Sequence, residues 1–308
     1  MKLKKSLSTI EVFSFGAGSM ISSGLFILPS LAYSEASGGM IIAYFLAGLL
    51  MLPALFSQLE LATAIPKSGG TYFFLERILG TPVGMLAGFA NWFSISLKSA
   101  FALVGIGIFA TILAPNLTPA MLTVISVAAC CVFTLLNILS VESSSRTQVF
   151  LVVFLLSVLV LFVLLGYRAA DRELFAQSWE LSISSVLTTT GMVFISYGGI
   201  TKIASLAEEA KDPKRTLVKG TLLAFFLVQL LYLIIVALLP ALLPAADLSS
   251  SLTPITDASQ RMVSSGVFSG VLLVLTLLAG IMAFITTANA GIMRSEERRV
   301  GKECATGC

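Results

Sequence analysis

Two runs of small and polar residues lie inside apolar stretches of this sequence, and both are placed to bind charged groups. The first is GAGSMISSG, residues 16–24, and the second is GMVFISYGGIT, residues 191–201. A glycine costs a helix interior about 1 kcal/mol relative to alanine, and serine competes for backbone hydrogen bonds. Both runs therefore predict a helix interruption that exposes backbone N–H and C=O groups.

An interrupted helix presents two kinds of terminus to a charged ligand. The N-terminus of the resumed half attracts anions, and the C-terminus of the half that stops attracts cations. A zwitterion, which carries both charges, matches such a pair of ends. The alternative is a close-packing interface, because small residues also let two helices approach each other.

The sequence lacks the residues that catalysis and metal binding usually need. Histidine is absent, which removes the commonest general base and the commonest metal ligand. The cysteines form one adjacent pair in an apolar stretch and one pair near the C-terminus, Cys130, Cys131, Cys304 and Cys308. No Gly-x-Ser-x-Gly nucleophile motif occurs. We therefore predict no enzymatic activity, no catalytic residues, no metal and no cofactor.

Composition indicates that the elements carrying these runs cross a membrane. Of the 308 residues, 57% are hydrophobic and 11% are charged, whereas soluble domains are about 25% charged. A bilayer-spanning helix needs about 20 apolar residues. We identify eight such spans, at residues 10–33, 38–62, 84–112, 119–140, 147–167, 183–206, 219–241 and 266–293. The lipid bilayer is thus a predicted partner.

The distribution of basic residues predicts the orientation. With the N-terminus in the cytoplasm, ten basic residues lie inside, Lys2, Lys4, Lys5, Lys67, Arg77, Arg146, Lys211, Lys214, Arg215 and Lys219. Three lie outside, Arg168, Arg172 and Arg261. This distribution follows the positive-inside rule, and we expect a location in the plasma membrane. The net charge of +3 reflects this topology, and we expect no nucleic-acid partner.

The spacing of the two runs suggests an internal repeat. The first run lies in the first span and the second in the sixth, five spans later. Interrupted helices at corresponding positions of two five-helix halves are typical of inverted-repeat transporters, which bind substrate between the interruptions. No repeat of individual residues is visible between the halves, so this prediction depends on the placement of the interruptions.

Three motifs resemble the amino acid–polyamine–organocation (APC) permeases. ISSGLFILP, residues 21–29, is similar to their first-helix motif, with Ser22 where the family usually has glycine. AIPKSGGTYFFLERILG, residues 64–80, resembles their first cytoplasmic loop. SYGGITKIASLAEEAKDPKRT, residues 196–216, resembles their sixth helix and the loop after it. The resemblance extends from residue 8 to about residue 293.

The resemblance implies an all-α integral membrane fold of the LeuT type, a 5+5 inverted repeat with helices 1 and 6 broken. Family members usually have about twelve spans, so a chain with about eight is expected to be an incomplete copy of that fold. We expect residues 1–293 to form the permease transmembrane domain. Residues 294–308, RSEERRVGKECATGC, are expected to be a non-native or unstructured tail, with a short soluble C-terminus as the alternative.

The same resemblance implies which residues hold the substrate. Its carboxylate would bind the backbone amides of Ser23 and Gly24, with help from Ser22, and the helix-dipole argument selects the same place. Its ammonium group would bind the backbone carbonyls of Met20, Ile195 and Gly198.

Aromatic residues flank the second interruption. Phe194 and Tyr197 are candidate gates over the site, and ordinary aromatic packing is the alternative for each. Ile195 lies where some relatives have an aromatic gate, which weakens a gating role at that position.

Three polar residues within spans are candidates for ion coupling. A lysine at a span centre costs about 2.5–3.5 kcal/mol on insertion scales, so Lys98 is a candidate proton-coupling group. A fixed counter-charge and a side chain that reaches the membrane interface are its alternatives. Thr286 and Thr287 are candidate sodium ligands, although such hydroxyls often bond to their own helix.

We therefore predict a secondary transporter that moves an amino acid or a related amine by alternating access, coupled to protons or sodium. The alternative is an amino-acid sensor or assembly subunit that has the same fold and does not transport.

Overall fold

The computed structural model describes residues 7–65, 70–113, 118, 120–128, 131, 144–179, 181–200, 203, 206–207, 210–262 and 267–293. Regular structure in these ranges is helical, apart from one isolated backbone bridge between Leu7 and Ala210. The predicted all-α class is confirmed for this part of the chain. The predicted tail, residues 294–308, lies outside it.

The first half of the chain begins with an interrupted helix. Its pieces are α1 (Thr9–Met20), α2 (Ser23–Phe26) and α3 (Leu28–Ala36). A 3-10 turn at Ser37–Gly39 precedes α4 (Met40–Ala64), α5 (Gly70–Leu79) and α6 (Thr81–Leu113). Residues 120–128 form α7.

The second half contains α8 (Ser144–Ala169), a short α9 (Arg172–Gln177) and α10 (Ile183–Tyr197). A π-helical turn at Pro213–Leu217 leads into α11 (Val218–Leu242). Two short helices follow, α12 (Ala245–Ser250) and α13 (Pro254–Met262), before the long α14 (Val267–Met293).

Five helical stretches among the described residues are long and apolar enough to cross a membrane. They are Leu28–Ala64, Thr81–Ala110, Thr147–Ala169, Pro213–Leu242 and Gly270–Thr287. The remaining predicted spans are shorter because the first is divided after Met20 and the sixth stops at Tyr197. The fourth, residues 119–140, is described only in part. The protein is therefore a multi-pass membrane protein.

Local sequence determines where α1 begins. The backbone N–H and the hydroxyl of Ser8 donate to the Glu11 carboxylate at 2.7 and 2.8 Å. This capping box satisfies donors that the first helical turn leaves free. The preceding residue is held from across the bundle, because the Lys211 backbone N–H donates to the Leu7 carbonyl at 3.2 Å.

Helix α1 lies at the centre of the described bundle. It contacts α8, α11 and α14, while α10 packs against α3 and α4, and α6 packs against α14. Every residue from 14 to 20 is buried. A helix buried on all sides can carry glycine and serine without exposing polar groups to lipid. The small residues of GAGSMISSG thus allow several helices to approach one interrupted helix.

The interface between α6 and α14 shows the same use of small residues. A Cβ added at Gly280 would collide with the Phe109 ring, and one added at Gly105 would lie 2.5 Å from the Phe284 ring. The rings of Phe109 and Phe284 lie 5.6 Å apart, and the Phe26 ring lies 5.9 Å from that of Phe109. This aromatic cluster connects α2 to the α6–α14 pair.

We expect Gly280→Ala to lower the thermal stability of the detergent-purified protein, because the added methyl displaces the Phe109 ring at a cost of about 1–3 kcal/mol. Gly270→Ala on the same helix is the matched control, since nothing lies within 4 Å of its added Cβ. The measurement is the midpoint of a fluorescence-detected thermal denaturation. Equal midpoints for the two variants would contradict the packing described.

Candidate functional site

The first interruption is two residues long. Helix α1 ends at Met20, where the Ile21 backbone N–H still donates to the Ala17 carbonyl at 2.9 Å. Ile21 has ψ 99°, and Ser22 has φ −156° and ψ −118°, so neither continues the helix. Helix α2 begins at Ser23. The interruption predicted at residues 16–24 is confirmed, at residues 21–22.

The second interruption follows α10. The Gly198 backbone N–H donates to the Ile195 carbonyl at 3.1 Å, which closes a tight last turn. Gly198 and Gly199 form a turn, and Ile200 is in 3-10 conformation. The helix predicted over residues 183–206 therefore stops at Tyr197, as the paired glycines indicate.

The two interruptions are in direct contact. A Cβ added at Gly24 would lie 2.5 Å from the Ser196 Cβ and 2.6 Å from its hydroxyl oxygen. A Cβ added at Gly199 would collide with the Ser19 carbonyl. Only glycine fits at these two positions, because each presses directly on the other interrupted helix. The contact joins the places that the sequence predicted to face each other.

Side chains from other helices satisfy the carbonyls at the end of α1. The Lys98 ammonium on α6 donates to the Ser19 carbonyl at 2.9 Å. The Tyr232 hydroxyl on α11 donates to the Met20 carbonyl at 2.8 Å. These carbonyls have no partner within α1 because the helix ends there. In a membrane, such groups need an internal partner.

The Gly18 carbonyl accepts hydrogen bonds from α14. The hydroxyl oxygens of Thr286 and Thr287 lie 3.3 and 3.1 Å from the Gly18 carbonyl oxygen. The Thr286 hydroxyl also lies 2.9 Å from the Ala283 carbonyl oxygen of its own helix. Both threonines thus lie beside the last turn of α1, and their role as sodium ligands stays a prediction.

Lys98 connects the two interruptions. Besides the Ser19 carbonyl, its ammonium group donates to the Ser196 carbonyl on α10 at 3.3 Å. The side chain is therefore directed into the protein, unlike the alternative in which it reaches the membrane interface. The Lys98 ammonium group therefore lies between the C-terminal ends of α1 and α10.

Three tyrosines pack together beside this contact. The ring of Tyr232 lies 5.7 Å from that of Tyr44 and 5.4 Å from that of Tyr197. The Tyr44 hydroxyl donates to the Gly24 carbonyl at 2.7 Å, and the Tyr197 hydroxyl donates to the Tyr44 carbonyl at 3.3 Å. Tyr197, a predicted gate, is thus fully buried in this cluster.

The other predicted residues surround the same place with different exposure. The Ser22 carbonyl accepts from the Leu25 and Phe26 backbone N–H groups at 3.1 and 3.0 Å. Ser22 is buried and Ser23 is half-buried. Ser23 and Gly24 begin α2, so their backbone N–H groups have no acceptor within that helix.

Phe194 and Ile195 lie on another face of α10. Their side chains are 36% and 65% exposed, whereas Val193, Ser196 and Tyr197 are buried. The gating role of Phe194 therefore stays a prediction. The carbonyl of Ile195 accepts the Gly198 bond described above.

Sequence reasoning missed three residues of this site, Tyr44, Ser196 and Tyr232. Their signal is a hydroxyl within an apolar span, because a buried hydroxyl in lipid needs a partner. Many other serines and threonines of the chain share that signal. Only the fold shows which of them reach the two interruptions.

These features define a class: helical membrane proteins in which two interrupted helices meet inside the bundle. The chain belongs to the amino acid permease family, whose model matches residues 7–295. Membership in this family implies the LeuT-type fold expected from the sequence motifs.

Named relatives are transporters rather than enzymes. The branched-chain amino acid permease BcaP of Bacillus subtilis is 24% identical over 303 residues, covering 92% of this chain and 65% of the relative. An uncharacterized transporter of Mycobacterium tuberculosis is 26% identical over 259 residues, covering 83% and 57%. The vacuolar cationic amino acid transporter 4 of Arabidopsis thaliana is 25% identical over 280 residues, covering 83% and 46%. The chain therefore spans between about half and two thirds of the length of these relatives.

We expect Tyr232→Phe to destabilise the protein by about 1–3 kcal/mol, because the Met20 carbonyl loses a buried hydrogen bond. Tyr167→Phe is the matched control, since Tyr167 is 79% exposed. The measurement is the thermal denaturation midpoint in detergent. A loss of stability in both variants, or in neither, would contradict the role assigned to Tyr232.

Proposed function

We propose that the protein is a secondary transporter that moves an amino acid or a related amine across the plasma membrane. The observation that supports this most directly is the contact between the two interruptions. At this contact the Lys98 ammonium group donates to backbone carbonyls at the C-terminal ends of both α1 and α10. Membership in the amino acid permease family supports the same function.

The proposed roles follow the charge of each backbone group. The amides of Ser23 and Gly24, with Ser22, would hold the carboxylate of the substrate. Support comes from the position of these two amides in the first turn of α2, where N–H groups have no partner within the helix.

The carbonyls of Met20, Ile195 and Gly198 would hold the ammonium group of the substrate. Tyr232 already donates to the Met20 carbonyl. A carbonyl oxygen accepts two hydrogen bonds, so this contact is compatible with a substrate. Each contact at a helix terminus contributes up to about 2 kcal/mol in a partly buried setting.

Alternating access would move the interrupted helices against a scaffold. The moving group would contain α1 to α3 and α10. The N-terminus of the chain would lie in the cytoplasm. The scaffold would contain α6, α7 and α14, of which α6 and α14 pack closely. Tyr197 and Phe194 would gate the substrate as the two groups move.

Uptake into proteoliposomes tests the function. Relatives are named for branched-chain amino acids, cationic amino acids and methylthioribose, so radiolabelled leucine, arginine and methylthioribose form the panel. We expect saturable uptake of leucine or arginine. Net uptake supports a transporter, and binding without uptake would favour the sensor. Neither binding nor uptake of any compound would contradict both functions.

We expect Gly24→Ala to reduce uptake at least about tenfold, because its methyl would overlap Ser196 and force the two interruptions apart. Gly191→Ala on α10 is the matched control, since nothing lies within 4 Å of its added Cβ. The measurement is the initial rate of uptake at equal protein density. Full activity of Gly24→Ala would contradict a substrate site at this contact.

Protons and sodium are the two coupling candidates. Lys98 would serve protons, and Thr286 and Thr287 would serve sodium. We expect uptake to continue when choline replaces sodium, because the threonine hydroxyls are already hydrogen-bonded to helix carbonyls. The measurement is the initial uptake rate in matched sodium and choline buffers. A large fall in choline would assign sodium coupling to these threonines.

A further inference from the structure

Residues 211–219, where α11 begins, carry four basic residues and one acidic residue, Asp212. All four basic side chains are exposed, and they belong to Lys211, Lys214, Arg215 and Lys219. Within the part of the chain that the structure describes, the recorded salt bridge joins Arg261 to Asp247, and none involves these four side chains. The preceding Glu208 and Glu209 lie outside that part. The four cations form an exposed positive surface, called here the basic cluster.

Hydrogen bonds hold the backbone beneath the basic cluster in place. The Lys211 backbone N–H donates to the Leu7 carbonyl at 3.2 Å. The Arg215 backbone N–H donates to the Asp212 carbonyl at 3.1 Å. The π-helical turn Pro213–Leu217 also packs against α1 and α4. The charges are therefore carried by a fixed part of the bundle, whereas a solvated connector would lack these contacts.

An exposed apolar face of α11 continues from the basic cluster. Leu223, Phe226 and Leu230 are exposed, whereas the neighbouring Phe225 is buried. The three exposed residues follow Lys219 at intervals of four, three and four residues. Residues at such intervals lie on one face of a helix. This face is therefore positively charged at the start of α11 and apolar along the next turns.

A phospholipid with an anionic headgroup has the same order of charge and apolarity. Basic side chains next to a membrane helix attract the anionic headgroups of the cytoplasmic leaflet, and the predicted orientation places this end of α11 on that side. The apolar stem of a lysine or arginine lies along the membrane surface while its charge stays at the headgroup level. A zwitterionic headgroup gains less attraction, because its own cation is repelled. A soluble anion would leave the apolar face unused.

We propose that the basic cluster and the apolar face of α11 together bind one anionic phospholipid. The headgroup phosphate contacts Arg215 and Lys219, because a guanidinium group and an ammonium group both donate charge-assisted hydrogen bonds to phosphate. An acyl chain lies along Leu223 and Phe226. Because α11 also supplies the Tyr232 hydroxyl to the end of α1, a lipid bound to this helix stabilises the folded protein. Lipid binding here does not depend on transport.

The test measures lipid binding to the detergent-purified protein. Dioctanoyl phosphatidylglycerol, which is anionic, and dioctanoyl phosphatidylcholine, which is zwitterionic, are titrated separately. Bound lipid is counted by native mass spectrometry, and the thermal denaturation midpoint is recorded in parallel. We expect phosphatidylglycerol to bind at least about fivefold more tightly and to raise the midpoint further. Inorganic phosphate at the same concentrations should leave the midpoint unchanged, because it has no acyl chain.

The double variant Arg215→Gln/Lys219→Gln should reduce the preference for phosphatidylglycerol at least about fivefold, because it removes two of the four cations. Arg168→Gln/Arg172→Gln is the matched control, since it removes the same charge from exposed positions on the predicted outer side. Arg215→Lys/Lys219→Arg keeps the charge and should retain the preference. Leu223→Ser should weaken the binding of both lipids, because it places a hydroxyl on the apolar face.

Four results would overturn the lipid site. They are equal affinity for the two lipids, an equal loss of preference in the matched control, unchanged lipid binding in Leu223→Ser, and stabilisation by inorganic phosphate as large as that by phosphatidylglycerol. The last result would assign the basic cluster to a soluble anion. If the double variant does not purify as a single species, Lys219→Gln decides the result, with Arg172→Gln as its control.

Discussion

Backbone carbonyls at the end of an interrupted helix need hydrogen-bond donors, and in a bilayer the protein itself must supply them. At the end of α1, these donors come from α6, α11 and α14. Each donor is a side chain whose position fixes the distance of its helix from α1. Three helices thus form hydrogen bonds to the same end of α1. Their positions around α1 must allow each donor side chain to reach its carbonyl.

The close contact between the interruptions follows from the same constraint. Lys98 can satisfy carbonyls of both α1 and α10 only if the two helix ends lie within a few ångströms of each other. Gly24 and Gly199 allow that approach because neither has a side chain. In the proposed function, stability and substrate binding are therefore linked at this place. The groups that hold the ends together are also those that a charged substrate would meet.

Three tyrosines, Tyr44, Tyr197 and Tyr232, also connect the helices of this region, and they do so through uncharged hydroxyl groups. Their rings fill the space beside the interruptions, and their hydroxyls bond backbone carbonyls of neighbouring elements. An aromatic ring with a terminal hydroxyl suits a place that is apolar on one side and polar on the other. The cluster thereby joins α4, α10 and α11 to the interrupted helix.

Composition and local pattern determined the membrane class, most helix positions and both interruptions, because apolar length and glycine placement act over a few neighbouring residues. They also identified Lys98 as unusual, because a charge within a span is costly. They did not identify Ser196, Tyr44 or Tyr232 as parts of the site. Hydroxyls occur in many spans, and each of these reaches the interruptions from a different helix. Which hydroxyl meets which carbonyl depends on helix rotation and packing, so only the tertiary structure decided it.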